Sequence, residues 1–183
     1  MSDLRVDDHR LDSAAAVPLV RALELEYVER YGQPDADPDH LSADDLAPPA
    51  GAFVVAWLGA EAVACGGLRR YDVGVGELKR MYVARPHRGR GVSRVVLRAL
   101  EDRAWTCGYR RLVLETGVRQ PEAIGLYLSA GYTAIEPYGF YRTSPASRCF
   151  AKTLAAPRGA GPDVRSGRIA PGGSSDPGTP SPR

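Results

Sequence analysis

The stretch from Val83 to Leu100 reads VARPHRGRGVSRVVLRAL and joins a glycine-rich basic loop to the start of a helix. The first N–H groups of a helix have no intrahelical partner and lie at the positive end of the helix dipole. Glycines let an anion approach these groups closely, and arginines neutralise its charge. The stretch therefore predicts a site for a phosphate-bearing ligand. Its candidate residues are Arg88, Gly89, Arg90, Gly91, Val92 and Ser93.

The residues on either side of this loop support that prediction. The run from Glu77 to Val83 is typical of a strand, and apolar residues recur at every fourth position from Val92 to Ala104, as in an amphipathic helix. Gly108 predicts the end of that helix. The dinucleotide fingerprint G-x-G-x-x-G is absent, and no Gly-Lys-Ser/Thr follows the glycines. Without this context, RGRG would favour a solvated basic turn or a nucleic-acid contact.

Composition predicts a single domain with a substantial core, because the chain has 183 residues, 44% of them hydrophobic. No apolar run reaches the roughly 18 residues that cross a membrane, and the acidic N-terminus lacks an apolar signal segment. We therefore expect a cytoplasmic protein without membrane contact. Cys65, Cys107 and Cys149 are widely spaced, with no histidines at metal-ligand spacing. This spacing predicts reduced, buried thiols and no bound metal.

Charge is distributed unevenly along the chain, although the formal net charge is only +2. Residues 1–50 hold 12 Asp and Glu against 4 Arg, a net of −8, whereas residues 68–119 hold 13 Lys and Arg against 5 Asp and Glu, a net of +8. The basic middle is the expected anion-binding region. The acidic first third is compatible with a cationic substrate, but solvated helix faces and loops account for most of its charges.

The spacing of apolar residues and chain breakers predicts a mixed sheet with helices on both faces. Asp12 and Ser13 begin a first helix that Gly32 ends, and the loop that follows holds a short helix at Ser42–Leu46. The apolar stripe of the first helix is formed by Val20, Leu23, Tyr27 and Val28. Further predicted elements are strands at Phe53–Leu58, Glu61–Arg69, Glu77–Val83, Arg111–Glu115, Tyr132–Ile135 and Ser147–Lys152, and a helix at Pro121–Ala130.

The C-terminal stretch differs in composition from the rest of the chain. From Pro157 to Arg183, 16 of 27 residues are Pro, Gly or Ser, and large apolar residues are nearly absent. Such a segment buries too little apolar surface to offset the entropy of ordering. We expect a folded domain over residues 1–156 and a disordered tail over residues 157–183.

A second motif lies downstream of the basic loop. It reads Gln120-Pro-Glu-Ala-Ile-Gly-Leu-Tyr127-Leu-Ser-Ala-Gly-Tyr132. This motif resembles a pattern of the GNAT superfamily of acyl-CoA-dependent N-acyltransferases, which begins with Asn and ends with Phe. The loop motif, Arg88-Gly-Arg-Gly91-Val-Ser93, is similar to the family's cofactor signature but has Ser93 where Gly or Ala is usual. The two motifs follow in the family's order, separated by a strand, and the similarity covers roughly residues 4–154.

The resemblance implies an α/β fold of the α+β type. It implies one N-acetyltransferase domain over residues 1–156, built on a mixed, mostly antiparallel sheet of about six to seven strands with helices on both faces and a V-shaped splay between its two central strands. It also implies acetyl-CoA as the acyl donor. The cofactor-binding residues would be those of the loop together with Met81, Tyr82, Val83 and Gln120.

The resemblance further implies N-acetyl transfer from acetyl-CoA to a primary amine by direct attack in a ternary complex. Tyr127 matches the tyrosine that protonates the leaving thiolate, although its helical spacing with Ile124 is also typical of a core aromatic. Glu77 resembles in placement the glutamate that deprotonates the amine, and Glu115 is its rival. A backbone N–H near residues 81–83 would stabilise the oxyanion. We interpret Cys149 as a core thiol.

The acceptor and the class of function are less determined by the sequence. Acceptor recognition in the family comes largely from the first helix and from the connection between the last strands, which here carry Glu24, Tyr27, Tyr31 and Tyr138-Gly-Phe-Tyr141. One alternative is a non-catalytic acyl-CoA-binding sensor or scaffold. A nucleic-acid-binding protein ranks last, because the basic segment lacks interleaved exposed aromatics.

Overall fold

The computed structural model describes residues 4–34 and 41–156, which form one seven-stranded sheet with helices packed on it. Chain order is strand, helix, three strands, helix, strand, helix, then two strands. The strands are β1 Leu4–His9, β2 Ala52–Leu58, β3 Glu61–Asp72, β4 Val75–Val83, β5 Arg111–Gly117, β6 Thr133–Ile135 and β7 Ser147–Thr153. The helices are α1 Ala16–Tyr31, α2 Val92–Thr106 and α3 Pro121–Ser129, and short 3₁₀ turns lie at Arg85–His87 and Phe140–Thr143.

The sheet order is β1-β2-β3-β4-β5-β7-β6, and five of its six strand pairs are antiparallel. The exception is β4 and β5, which run parallel because α2 carries the chain back between them. The predicted mixed, mostly antiparallel sheet with helices on both faces is confirmed, at the upper end of the expected number of strands.

Two apolar clusters lie on opposite faces of the sheet, because successive strand residues point to opposite sides. On one face, α2 buries Val96 and Leu100 against Val54 of β2 and its neighbours. On the other face, α1 buries Leu19 and Leu23 in a cluster that includes Phe53 and Val55 of β2. The sheet therefore has a helix-covered core on each side.

The boundaries of α1 follow from its local sequence. The Ser13 hydroxyl accepts a hydrogen bond from the backbone N–H of Ala16 at 3.3 Å, which satisfies one donor of the first turn. At the other end, Gly32 takes a left-handed conformation with φ 77° and donates its N–H to the carbonyl of Val28. The terminating glycine agrees with the prediction from sequence, whereas the helix begins at Ala16 with Ala15 at its N-cap, after the predicted start at Asp12 and Ser13.

Some predictions of local structure were wrong. Strand β1 was not predicted, because only Leu4 and Val6 supply apolar side chains in a strand paired on one edge alone. The predicted helix at Ser42–Leu46 is absent: residues 43–46 form a turn, and Leu46 is nevertheless buried. Val28 is 42% exposed, so it does not belong to the buried face of α1.

The predictions for the cysteines and the tail had different outcomes. All three cysteines are free; Cys65 and Cys149 are buried and Cys107 is half-buried. Burial raises the pKa of the Cys65 thiol to about 12, which favours an unreactive thiol. The prediction of a disordered tail concerns residues 157–183, which lie outside the described residues.

Candidate active site

A gap opens in the middle of the sheet, between the two parallel strands. Pairing of β4 with β5 ends at Leu78 and Leu114, although β4 continues to Val83 and β5 to Gly117. The strands therefore separate over their last residues, which confirms the expected splay. A cleft of about 490 Å³ passes through this gap and is bordered by both strands, α1, and the first turns of α2 and α3.

A bulge in β4 lies at the start of the gap. The register changes between the pairs Gly67–Lys79 and Cys65–Tyr82, so β4 carries an extra residue there. Arg80 has φ 56°, a conformation that non-glycine residues rarely adopt. A Cβ atom at Gly66 would lie 2.6 Å from the Met81 sulfur, so any larger residue opposite the bulge would require the Met81 side chain to shift. The bulge fixes the direction of β4 along the cleft.

The predicted phosphate loop lies at one end of the cleft, where α2 begins. Gly89 and Gly91 have φ values of 72° and 80°, the left-handed conformation that favours glycine. No side chain caps the N-terminus of α2. The cleft is lined by Arg88, Gly89, Gly91, Val92 and Ser93, and also by Met81, Tyr82, Val83 and Gln120. Arg90 is exposed and is not among the lining residues.

The Arg88 guanidinium points toward α1. Its Nη2 lies 2.5 Å from a carboxylate oxygen of Glu26, and its Nε donates to the Val83 carbonyl at 2.9 Å. The guanidinium also lies over the Tyr82 ring, 5.5 Å from its centroid. The sequence predicts that this arginine neutralises phosphate, and the structure adds these contacts with Glu26, Val83 and Tyr82.

Tyr127 of α3 lines the cleft from the side of the larger core cluster. It is 5% exposed, and its ring centroid lies 5.6 Å from that of Tyr132 and 6.4 Å from that of Phe150. Burial raises the pKa of its phenol above the usual value, with a smaller contribution from Tyr27 of α1. Tyr127 is thus both a core aromatic and a protonated hydroxyl group at the cleft.

The two candidate glutamates have different surroundings. Glu115 of β5 lines the cleft and accepts a 2.7 Å hydrogen bond from the Ser147 hydroxyl of β7. Glu77 is 1% exposed and is not among the lining residues. Its carboxylate lies 2.7 Å from Arg69 Nε and 3.1 Å from Lys79 Nζ. The geometry therefore brings Glu115, and not Glu77, to the cleft.

Glu77 also contacts the connection between β6 and β7. The Tyr138 hydroxyl donates to its carboxylate at 3.0 Å, and burial next to this carboxylate raises the pKa of the Tyr138 phenol. Tyr141, in the same connection, lines the cleft. Glu77 thus holds a segment that borders the cleft.

Sequence reasoning missed Glu26, Lys79 and Ser147, all of which line the cleft. Glu26 continues the buried line of α1 formed by Ala16, Leu19 and Leu23, at helical spacing. A charged residue in a buried helical line is a signal that could have identified it. Ser147 has no comparable local signal, because its contact with Glu115 depends on the pairing of β5 with β7.

Two negative findings concern residues 4–34 and 41–156. In that part of the chain, no helix has the length and apolar character needed to cross a membrane. The same residues include no group of three or more His, Cys, Asp or Glu side chains arranged to hold a metal ion.

Comparisons with known proteins agree with this architecture. Residues 17–132 match the family model described as the acetyltransferase (GNAT) family. The IAA acetyltransferase of Azospirillum brasilense is 35% identical over 142 residues, which are 76% of this chain and 91% of that protein. An N-acetyltransferase of Bacillus subtilis, itself uncharacterized, is 36% identical over 116 residues, 62% of this chain and 77% of that protein.

Solved structures show the same fold. The crystal structure of a protein from Klebsiella pneumoniae has a TM-score of 0.70 with this chain at 28% sequence identity. The match covers 83% of this chain and 98% of that one. The structure of a GNAT family acetyltransferase from Elizabethkingia anophelis with acetyl-CoA bound has a TM-score of 0.60 at 16% sequence identity. The match covers 84% of this chain and 100% of that one. The matches to the family model and to the relatives together show that this chain belongs to the GNAT acetyltransferase family.

Proposed function

We propose that this protein transfers an acetyl group from acetyl-CoA to a primary amine of a small molecule or a protein, by direct attack in a ternary complex. The observation that carries the proposal is the gap between β4 and β5, which runs from the Glu115 side of the sheet to the glycine loop at the start of α2. A gap of this form suits an extended ligand with an anionic end.

The residues around the gap fit both parts of such a donor. A Cβ atom at Gly89 or Gly91 would meet no protein atom within 4 Å, so the glycines leave space next to the helix start. The N–H groups there would bind a diphosphate. Beyond Leu78, β4 stays paired with β3, but its other edge faces the gap instead of β5. Backbone groups on that edge would hydrogen-bond an extended pantetheine arm.

Acyl transfer forms a C–N bond and breaks a C–S bond, so the amine must lose a proton and the leaving thiolate must gain one. Glu115 is the proposed proton acceptor, because it lines the cleft and the Ser147 hydroxyl orients its carboxylate. Glu77, which the sequence favoured, remains the alternative. Its contacts support a positioning role instead, in which it holds Tyr138 and thereby the segment that carries Tyr141.

Tyr127 is the proposed donor of the proton to the thiolate. Burial raises the pKa of its phenol, so the side chain stays protonated throughout the neutral range. The negative charge that develops on the thioester oxygen would be met by a backbone N–H of β4 near Met81. The bulge at Arg80 supports this assignment, because it alters the direction of the backbone groups that follow.

The experiment that tests the proposal combines acetyl-CoA with a panel of amines and follows the release of free thiol. The panel contains amino acids, polyamines, aminoglycosides and peptides with free N-termini, and acetyl-CoA without amine is the blank. A thermal-shift titration with acetyl-CoA runs in parallel, because a ligand that binds the folded state raises the melting temperature.

We expect release above the blank with at least one amine, and an acetylated product of the corresponding mass. Acetyl-CoA binding without release for any amine would contradict transfer and favour a cofactor-binding sensor. Absence of acetyl-CoA binding would reject both functions.

A further inference from the structure

Glu26 is a buried carboxylate at the point where α1 crosses the gap in the sheet. It is 8% exposed and lines the cleft. The two walls of the cleft are the ends of β4 and β5, which are not paired with each other beyond Leu78 and Leu114, and Glu26 lies between them. A buried charge is costly unless it is paired. Its partners therefore indicate what it does.

One partner comes from the β4 wall. Arg88 approaches Glu26 with both terminal nitrogens, at 2.5 Å and 3.3 Å, in a forked contact with the two carboxylate oxygens. The third donor of the same guanidinium, Nε, binds the carbonyl of Val83 at the end of β4. Arg88 thus attaches the end of β4 and the phosphate loop to α1.

A second partner leads to the β5 wall, and a third cation, Arg85, lies farther away with its Nε 3.8 Å from a Glu26 oxygen. Arg30, one turn along α1, lies 2.6 Å and 3.0 Å from one Glu26 oxygen through Nη2 and Nε. Arg30 also forms an ion pair with Glu122 of α3 and donates to the carbonyl of Arg119. Both acceptors follow β5 in the chain, so Arg30 attaches that wall to α1.

Glu26 is charged in this arrangement. Burial opposes its ionisation, but hydrogen bonds from Arg88 and Arg30 outweigh that effect and lower the pKa of the carboxyl group below its usual value. Removing one member of a buried, hydrogen-bonded charge pair leaves the other charge uncompensated. The linked side chains therefore act as a unit. We name this unit the Glu26 bridge; it consists of Arg88, Glu26, Arg30 and Glu122.

We propose that the Glu26 bridge sets the spacing between the two walls of the cleft, and that Arg88 affects the cofactor as a positioning residue rather than as a direct ligand of its diphosphate. The inference rests on the proposed function, because it assigns the cleft to acetyl-CoA. This inference differs from the prediction from sequence, in which the arginines of the loop neutralise phosphate and Arg88 contacts the ligand directly.

The two assignments predict opposite effects for Glu26→Gln, which keeps the shape of the side chain and removes its charge. A positioning role predicts at least tenfold weaker CoA binding by isothermal titration, because the walls lose their connection. A direct phosphate contact predicts equal or tighter binding, because the substitution frees Arg88 from a competing anion. Glu29→Gln is the matched control: it removes the same charge from the same helix, where Glu29 pairs with the exposed Arg85. We expect its CoA dissociation constant to stay within twofold of the native value.

Kinetics and a double variant separate positioning from a general loss of stability. We expect Glu26→Gln to lower kcat at saturating acetyl-CoA as well as to raise its KM, because a displaced thioester reacts more slowly. Arg88→Gln and Glu26→Gln are also tested singly and together. The CoA dissociation constant of the double variant should lie within threefold of that of the single variant that binds CoA more weakly, because both changes break the same unit. Additive losses would overturn the proposal. Arg30→Lys keeps the charge but loses the fork, and it should show a smaller loss in the same direction if Glu26→Gln does not fold.

The outcomes also distinguish this inference from the proposed function. If the native protein fails to bind CoA, the proposed function fails. If the native protein binds CoA and Glu26→Gln binds it as well or better, only the Glu26 bridge is rejected.

Discussion

Replacing Tyr127 with phenylalanine removes one hydroxyl group from the cleft and leaves the ring in place. The ring packs edge-on against Tyr132 and near Phe150, and both contacts are available to phenylalanine. The loss of a hydroxyl in a packed site costs about 1 kcal/mol or less when the ring is retained. For a chain of this length, we therefore expect a melting temperature lower by about 2–4 °C at most.

The expected effect on catalysis is much larger. A positioned general acid contributes roughly 10²- to 10⁴-fold to the rate. Because each factor of ten corresponds to about 1.36 kcal/mol, Tyr127→Phe should raise the activation free energy by about 2.7–5.4 kcal/mol. Binding of acetyl-CoA should change little, since the hydroxyl acts on the departing sulfur and not on the bound thioester.

The assay is thiol release at saturating acetyl-CoA and amine, with the folded fraction checked by thermal denaturation. Burial raises the pKa of Tyr127 above its usual value of about 10, so the native kcat should not fall through loss of this proton below pH 10. A kcat within threefold of native for Tyr127→Phe would refute the reasoning and leave Tyr127 as a core aromatic. A native kcat that falls near pH 8 would have to be assigned to another group.

Further predictions concern the proton acceptor and two glycines. Glu115→Gln should lower kcat at least 100-fold at pH 7, whereas Glu77→Gln should mainly raise the KM of the amine; the reverse pattern in steady-state kinetics would make Glu77 the base. Gly91→Ala should lower stability by about 1 kcal/mol because of its positive φ, and should weaken CoA binding in a calorimetric titration by narrowing the loop; unchanged affinity would contradict the loop's role. Gly117→Ala places a Cβ against the Tyr31 hydroxyl and should cost about 1–3 kcal/mol in denaturant unfolding, part of which Tyr31→Phe should restore.

The conformation of the glycine loop was predictable from sequence because its signal is local. A strand, a glycine-rich turn and a helix start follow one another in the chain, and the structure places Gly89 and Gly91 in the conformations that glycine permits. The second motif predicted in the same way that Tyr127 would lie on a helix. Its arrival at the cleft could be expected only from the family resemblance, because local spacing fits a core aromatic equally well.

Side-chain partners were not predictable, because they depend on pairing between distant residues. Glu77 begins the predicted strand, but its burial results from Arg69 on the neighbouring strand and from Tyr138 in a later connection. The assignment of Arg88 to a phosphate stays a prediction, and the sequence did not indicate that Arg88 pairs with Glu26 of α1. Sequence patterns identify which residues are charged, and only the fold decides which opposite charges meet.

The short pairing between β4 and β5, which joins strands β1–β4 to strands β5–β7, has a consequence for the amount of folded protein. Only four residue pairs, from Val75–Arg111 to Leu78–Leu114, connect the backbone ladder of β1–β4 to that of β5–β7. A ligand that fills the gap beyond them binds the folded state alone, and at 100 times its dissociation constant it adds about 2.7 kcal/mol to the free energy of unfolding. Hydrogen exchange of the backbone amides of β4 and of β5 should therefore slow together as the ligand is added. If acetyl-CoA is that ligand, as we propose, the turnover of this protein in a cell would follow the supply of acetyl-CoA.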